Sequence, residues 1–299
     1  KIRNLPALLL PASPSKLRRL AYARCCVRIS KMEYGCCLNM LAALPHRTGA
    51  EHLETLLEAG FDYAELPLAE LAALNEADFD AVLNKTVQLG IRVDALNNFF
   101  PASLRLTGSD VDDAAILEYA QKALSLAGRL KVKTLVFGSG PAKNVPFGFS
   151  MHEAFIQLVN LLSQLAPIAG EYGITIALEP LRRQECNIIN TFEEAVALAH
   201  AVNKKNVRVL ADYYHIKEEN DKFSSIATLG PKYLAHVHIA SSNERRFPKK
   251  TDNEDYRGFF LALFKACYNS RISIEAYSDA FFKDASQSLV FLKSLLNEI

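Results

Sequence analysis

Four short segments at the ends of apolar runs carry residues able to bind a divalent metal: Glu179 in ITIALEP, Asp212 in VRVLADYYH, His238 in AHVHIA and Glu275 in ISIEA. Each run is of strand length, mostly apolar and rich in β-branched residues. Three carboxylates and one imidazole make an oxygen-rich donor set that suits a hard divalent cation better than a thiolate zinc site. Mn²⁺ is the first choice, with Mg²⁺ or Co²⁺ as alternatives. Taken singly, a Glu or Asp at a strand end is often a helix cap or part of a rim salt bridge. Four such residues in phase favour a metal site.

Such a donor set matches a definite kind of chemistry. Removing a proton from carbon next to a ketone is slow because the enediolate that results is high in energy, and a divalent cation lowers that energy as charge develops. Two carboxylates flanking the carbon complete the requirement. If Glu179 takes the proton from one face and Glu275 returns one to the other, configuration inverts, with each acid or base contributing about 10²–10⁴-fold. No organic cofactor is needed. His215, three residues after Asp212, is expected in a loop beside the metal, where a substrate hydroxyl could bind. His236 and His238 share one strand face, and His238, nearer the strand end, is the better ligand. His46, His52, His152 and His200 have no evident partner and read as surface residues.

The gaps between these four residues average about 30 residues, one strand–helix unit, which would bring successive strand ends to a common rim. Strand-like stretches fall near 34–39, 62–66, 91–97, 132–138, 174–179, 206–212, 233–238 and 272–276, and amphipathic runs separate them. The clearest run is 151–166, where Phe155, Leu158, Val159, Leu162, Leu165 and Ala166 repeat at helical spacing while Glu153, Gln157, Asn160 and Gln164 face away. Asp110, Ser150 and Thr191 stand where helix caps are needed, the last two with Glu153 and Glu194 in capping-box position. Gly60, Gly90 and Gly173 each stand between a helix and the next strand. The expectation is an α/β fold of eight strands and eight helices, a (β/α)8 TIM barrel with its chemistry at the C-terminal ends of the strands.

With 299 residues, half of them hydrophobic, the chain can form one large core. The formal net charge of +1 conceals an asymmetry, because residues 1–31 contain eight Lys or Arg and no acid, which leaves about −7 for the remainder. That balance offers no basic footprint for nucleic acid. Residues 1–31 also carry three prolines and no coherent periodicity, so they are expected to be an extension outside the fold, with a targeting peptide as the rival reading. Residues 32–299 then form a single catalytic domain. The LPALLLPA run is too short and too interrupted by proline to span a membrane. The six cysteines show neither zinc-ligand spacing nor the pattern of a disulfide scaffold, which fits a reducing cytoplasm. Gly138-Ser139-Gly140 reads equally as a backbone anion nest or as a tight turn. Phe99, Phe100 and Phe147 read as either loop packing or an apolar wall against a sugar.

The segment EPLRRQECNIINT (179–191) resembles the stretch of ketose 3-epimerases of the D-tagatose/D-psicose type in which a metal-binding Glu opens EPL and a second Glu follows six residues later. ADYYH, and HVHIA followed by Arg245-Arg246-Phe247-Pro248, resemble the next two signatures of the same superfamily, the xylose isomerase-like sugar isomerases and epimerases. The resemblance spans roughly 34–299. It implies Glu179, Asp212, His238 and Glu275 as metal ligands and Glu185, His215 and Arg245 as substrate contacts. It also implies a small-molecule sugar as partner, with no nucleic acid or membrane involved and room for a homo-oligomer.

The preferred function is metal-dependent epimerisation of a free ketose at carbon 3. Aldose–ketose or hydroxypyruvate-type isomerisation and inosose dehydration use the same carbanion and remain alternatives. An endonuclease IV-like repair enzyme would need extra histidines near the ends of the second and third strands, which read YAELPL and VDALNNFF. A non-catalytic sugar-binding protein would keep the fold and pocket but tolerate loss of one acid/base carboxylate, and the presence of all four site residues speaks against it.

Overall fold

In the computed structural model, which describes residues 32–297, the eight apolar stretches pair in chain order: β1 (Glu33–Cys37), β2 (Tyr63–Pro67), β3 (Arg92–Asn97), β4 (Thr134–Phe137), β5 (Thr175–Leu178), β6 (Val207–Asp212), β7 (Leu234–Ile239) and β8 (Arg271–Ile274). Every pairing is parallel, and β1 joins both β2 and β8, so the sheet closes into a (β/α)8 barrel. Closure follows from composition. The strands are buried on both faces by Val, Ile, Leu and Ala, as a parallel sheet wrapped in helices requires. The expectation for residues 1–31 falls outside the described residues.

The register decides what meets at the rim. Asp212, the last residue of β6, stands opposite His238 of β7, and His238 stands opposite Ser273 of β8. Glu179 and Glu275 are the first residues beyond β5 and β8, yet strand-like bonding still holds them. The Glu179 N–H donates to Phe137 O at 3.2 Å and the Glu275 N–H to Ile239 O at 3.1 Å. One level further down, the Tyr63 ring fills the barrel where Gly35 leaves room, since a Cβ on Gly35 would lie 2.3 Å from that ring.

Most connecting helices begin where the sequence marks them. Thr191 and Glu194 form a full capping box at the helix Phe192–Val202, a device that contributes about 1 kcal/mol. Ser150 accepts from the Glu153 N–H at the start of Met151–Glu171, whose Leu158, Leu162, Leu165 and Ala166 are buried as expected while Phe155 and Val159 are only half-buried. The cap of the helix Asp113–Arg129 is Asp112, within VDDAAILEYA itself, whose side chain accepts from the Ala115 N–H. Asp110 lies two residues too early for that bond. Among the described residues there are more than eight α-helices, because short ones (Leu68–Ala73, Gly140–Lys143 and Tyr213–Glu218) follow β2, β4 and β6 directly at the rim. Among the described residues no helix is long and apolar enough to cross a membrane.

Candidate metal centre and active site

At the C-terminal mouth of the barrel, Glu179, Asp212, His238 and Glu275 each offer one ligand atom, and these atoms all lie within 4.8 Å of one another. All four side chains are buried. The His238 Nδ1 faces Glu179 Oε1 at 3.1 Å and Glu275 Oε2 at 3.2 Å. Asp212 accepts the Tyr214 N–H on Oδ1 at 2.8 Å, while its buried Oδ2 has no hydrogen-bond partner.

Three carboxylates in so small a volume resist ionising together. Burial, with Glu275 next, raises the Glu179 carboxyl above its usual range. Asp212 is pushed up to about 7, first by burial and then by Glu275 and Glu179, against the opposing pull of Arg245. Burial acts the same way on Glu275, but Arg245 and then His238 outweigh it and hold that carboxyl low. A concentration of buried acceptors with an orphaned oxygen is what a divalent cation satisfies, so the donor set fits the metal expected from the sequence.

The remaining expected residues ring this cluster. Arg245 donates from Nη2 to Glu275 Oε2 at 2.5 Å, lies 3.6 Å from Asp212 Oδ2 and 3.7 Å from Glu185 Oε1, and stacks over the Tyr214 ring at 4.7 Å. Its backbone, like that of Glu244, is left-handed (φ 52° and 56°), a conformation that aims Arg245 inward while Arg246 points out to Asp279 at 2.8 Å. Glu185 is further secured by the Arg182 Nε at 2.7 Å.

His215 lies in the helix Tyr213–Glu218 that starts directly after β6, not in a loop as expected; the strand runs into the helix with Asp212 itself as cap. Its Nδ1 accepts the Arg182 N–H at 3.3 Å, so Nε2 carries the proton and faces Asp212 Oδ2 at 3.4 Å. Burial, then Arg245, keeps this imidazole neutral. His236 is fully buried one level down, and of the other four histidines, His46, His152 and His200 are exposed and His52 is half-buried.

The sequence profile of the xylose isomerase-like TIM barrel family matches residues 53–295. The chain belongs to that family. Within it, the chain is 28% identical to a D-psicose 3-epimerase of Agrobacterium fabrum over 235 residues, 76% of this chain and 78% of the relative. It is 30% identical to an L-ribulose 3-epimerase of Methylomonas sp. over 230 residues, 74% of this chain and 75% of the relative. The crystal structure of a D-allulose 3-epimerase from Methylomonas sp. superposes with a TM-score of 0.76 at 26% identity, covering 89% of this chain and 98% of that one.

This xylose isomerase-like barrel also holds site residues that the sequence did not single out. Glu65 of β2 is completely buried beneath His238 and bonds its Nε2 at 2.9 Å. Lys143, at the end of the short helix after β4, is buried and donates from Nζ to Glu179 O at 3.1 Å with the Phe137 ring nearby. Burial lowers its ammonium, against the favourable influence of Cys186 and Glu179. Gly138 and Gly140 are explained by close approach: a Cβ on Gly138 would lie 2.3 Å from Glu179 Oε2, and one on Gly140 would lie 2.9 Å from Glu185 O. Ser139 between them accepts the Phe100 N–H on its hydroxyl at 3.0 Å. Phe99 and Phe100 are buried against Phe137, so of the three phenylalanines only Phe147 is exposed at the rim.

Proposed function

We propose that this protein is a metal-dependent epimerase that inverts the configuration at carbon 3 of a free ketose. The observation that carries the reading is the convergence of Glu179 and Glu275 on His238 Nδ1 from β5 and β8, three strands apart around the barrel. The family's named 3-epimerases support the same choice of reaction.

Glu179 takes the proton from C3, and the electron pair of the broken C–H bond passes into the enediolate. Glu275, entering the step protonated, delivers that proton to the opposite face of the same carbon and is left as a carboxylate, and exchange of both carboxyls with solvent then resets the pair. The raised proton affinity of Glu179, caused by its burial and by Glu275, suits it to the role of base. Glu179, Asp212, His238 and Glu275 would hold a divalent cation, with Mn²⁺ favoured by the hard donors and Mg²⁺ or Co²⁺ as alternatives. Such an ion supplies positive charge that stabilises the enediolate.

In this reading Arg245, Glu185 and the neutral His215 hold the sugar hydroxyls. Arg245 additionally holds Glu275 in place through its 2.5 Å bond and stabilises the carboxylate that remains once the proton has been given up.

The test is a product screen of Mn²⁺-loaded protein against ketoses, aldoses and inosose, read by NMR in D₂O. Deuterium on C3 of an epimerised ketose is the expected result. Deuterium on the neighbouring carbon of an aldose, or loss of a hydroxyl from inosose, would replace this reading with isomerisation or dehydration.

A further inference from the structure

Below the four-residue cluster lies a second group of polar side chains that the proposed reaction does not use. Glu65, His236 and Ser273 project into the barrel from β2, β7 and β8, and none is exposed at all. Both oxygens of Glu65 are engaged. Oε1 faces His238 Nε2 at 2.9 Å, and Oε2 faces His236 Nε2 at 2.9 Å and accepts the Ser273 hydroxyl at 2.6 Å. Ser273 in turn contacts the Tyr63 hydroxyl at 2.8 Å.

A carboxylate only accepts hydrogen bonds, so each group facing it must present a hydrogen. The His238 Nε2 therefore carries its proton toward Glu65. Nδ1, on the opposite side of the ring, faces Glu179 Oε1 at 3.1 Å and Glu275 Oε2 at 3.2 Å, so without metal it carries a hydrogen as well, and that outward proton, not the one held by the fully buried Glu65, is the one a cation would displace.

Glu65, His236 and His238 are also close enough together to hold an ion themselves. Their mutual bonds argue otherwise, because the nitrogens that would ligate such an ion are the ones donating to Glu65.

We propose that Glu65 is a positioning residue for the metal centre: it fixes the tautomer and ring orientation of His238 so that Nδ1, and not Nε2, is the metal-binding atom. The proposal rests on His238 being a ligand. A carboxylate behind a ligating histidine makes the imidazole more basic and stops the ring turning, and losing such a partner typically weakens metal binding about 10–100-fold. Ser273 and His236 serve Glu65 in the same way, holding the carboxylate so that one oxygen stays on His238.

The wild-type protein, labelled with ¹⁵N-histidine and loaded with ¹¹³Cd²⁺, provides the first test. Coupling of the metal to Nδ1 of His238, with the proton retained on Nε2, is expected, and coupling to Nε2 overturns the proposal. Calorimetric titration of Mn²⁺ into chelator-stripped protein provides the second. One ion per chain is expected, bound 10–100-fold more weakly by Glu65→Gln and less severely weakened by Ser273→Ala. A folded Glu65→Gln protein with wild-type affinity would show a merely structural residue, and two ions per chain would make Glu65 a ligand instead. Should Glu65→Gln not fold, the wild-type spectrum still decides. If the wild type binds neither metal, the metal reading itself falls, an outcome distinct from wild-type binding that ignores Glu65.

Discussion

Replacing Asp212 by Asn tests the electrostatics of the cluster directly, because the effect has opposite signs with and without metal. The Asp212 carboxyl, ordinarily titrating near 3.8, is pushed up to about 7 in the folded chain. Between those values the folded, metal-free protein keeps a proton that the unfolded chain has released. Stability from this group is therefore fully present below 3.8 and is lost as pH rises to about 7. The gap corresponds to about 4 kcal/mol, a ceiling because the three carboxylates titrate as a set. Asp212→Asn keeps an acceptor for the Tyr214 N–H and removes the titration. Urea unfolding in chelator at pH 4 and pH 8 is the assay. The variant should gain on the wild type between the two pH values by more than about 1 and at most about 4 kcal/mol. With Mn²⁺ at about 1,000 times its Kd the wild type gains about 4.1 kcal/mol and the variant much less, so the order reverses for any metal-free gain below that ceiling. Parallel pH dependences of the two metal-free proteins would refute the account of the buried carboxylates.

Glu179→Gln and Glu275→Gln should each lower turnover by about 10²–10⁴-fold and abolish deuterium incorporation at C3 while the melting curve stays cooperative, since an amide fills the space but exchanges no proton. Gly138→Ala places a methyl 2.3 Å from Glu179 Oε2 and should cut Mn²⁺ affinity and turnover together, with an overpacking cost of about 1–3 kcal/mol in unfolding measurements. Wild-type metal affinity in that variant would mean Glu179 is free to move aside. A chain beginning at Met32 should match the full chain in melting temperature and turnover, because β1 starts at Glu33; a large loss in either would give residues 1–31 a structural role.

The parts of this architecture written in local sequence were readable in advance. The strands announce themselves because both their faces are buried, and Asp212, His238, Glu179 and Glu275 stand out because each ends an apolar run. What could not be read depends on contacts distant in sequence. Glu65 sits within YAELPL, where a single Glu looks like an ordinary polar position, and its histidine partners lie 171 and 173 residues away. Lys143 occurs among Gly, Pro and Asn, a composition that signals a solvated turn, and its burial under Glu179 is imposed by the fold of the rim. The short helix carrying His215 is too brief for its periodicity to register. Asp110 and Asp112 lie close together in one acidic run, and only the backbone geometry selects the second as cap.

The Tyr214 ring has Arg245 at 4.7 Å and Arg182 at 5.0 Å, and Arg182 also holds Glu185 and, at 3.0 Å, Glu218. Three rim segments, the loops after β5 and β7 and the short helix after β6, are thereby fastened through one aromatic ring and four charges. Barrels of this kind invite engineers to exchange one loop at a time and so redirect specificity. Here the unit of exchange is larger: a loop transplanted after β5 without its Arg182 and Glu185 would strand Glu218 and loosen the arginine that grips Glu275. Productive redesign of this rim has to move all three segments as a single cassette.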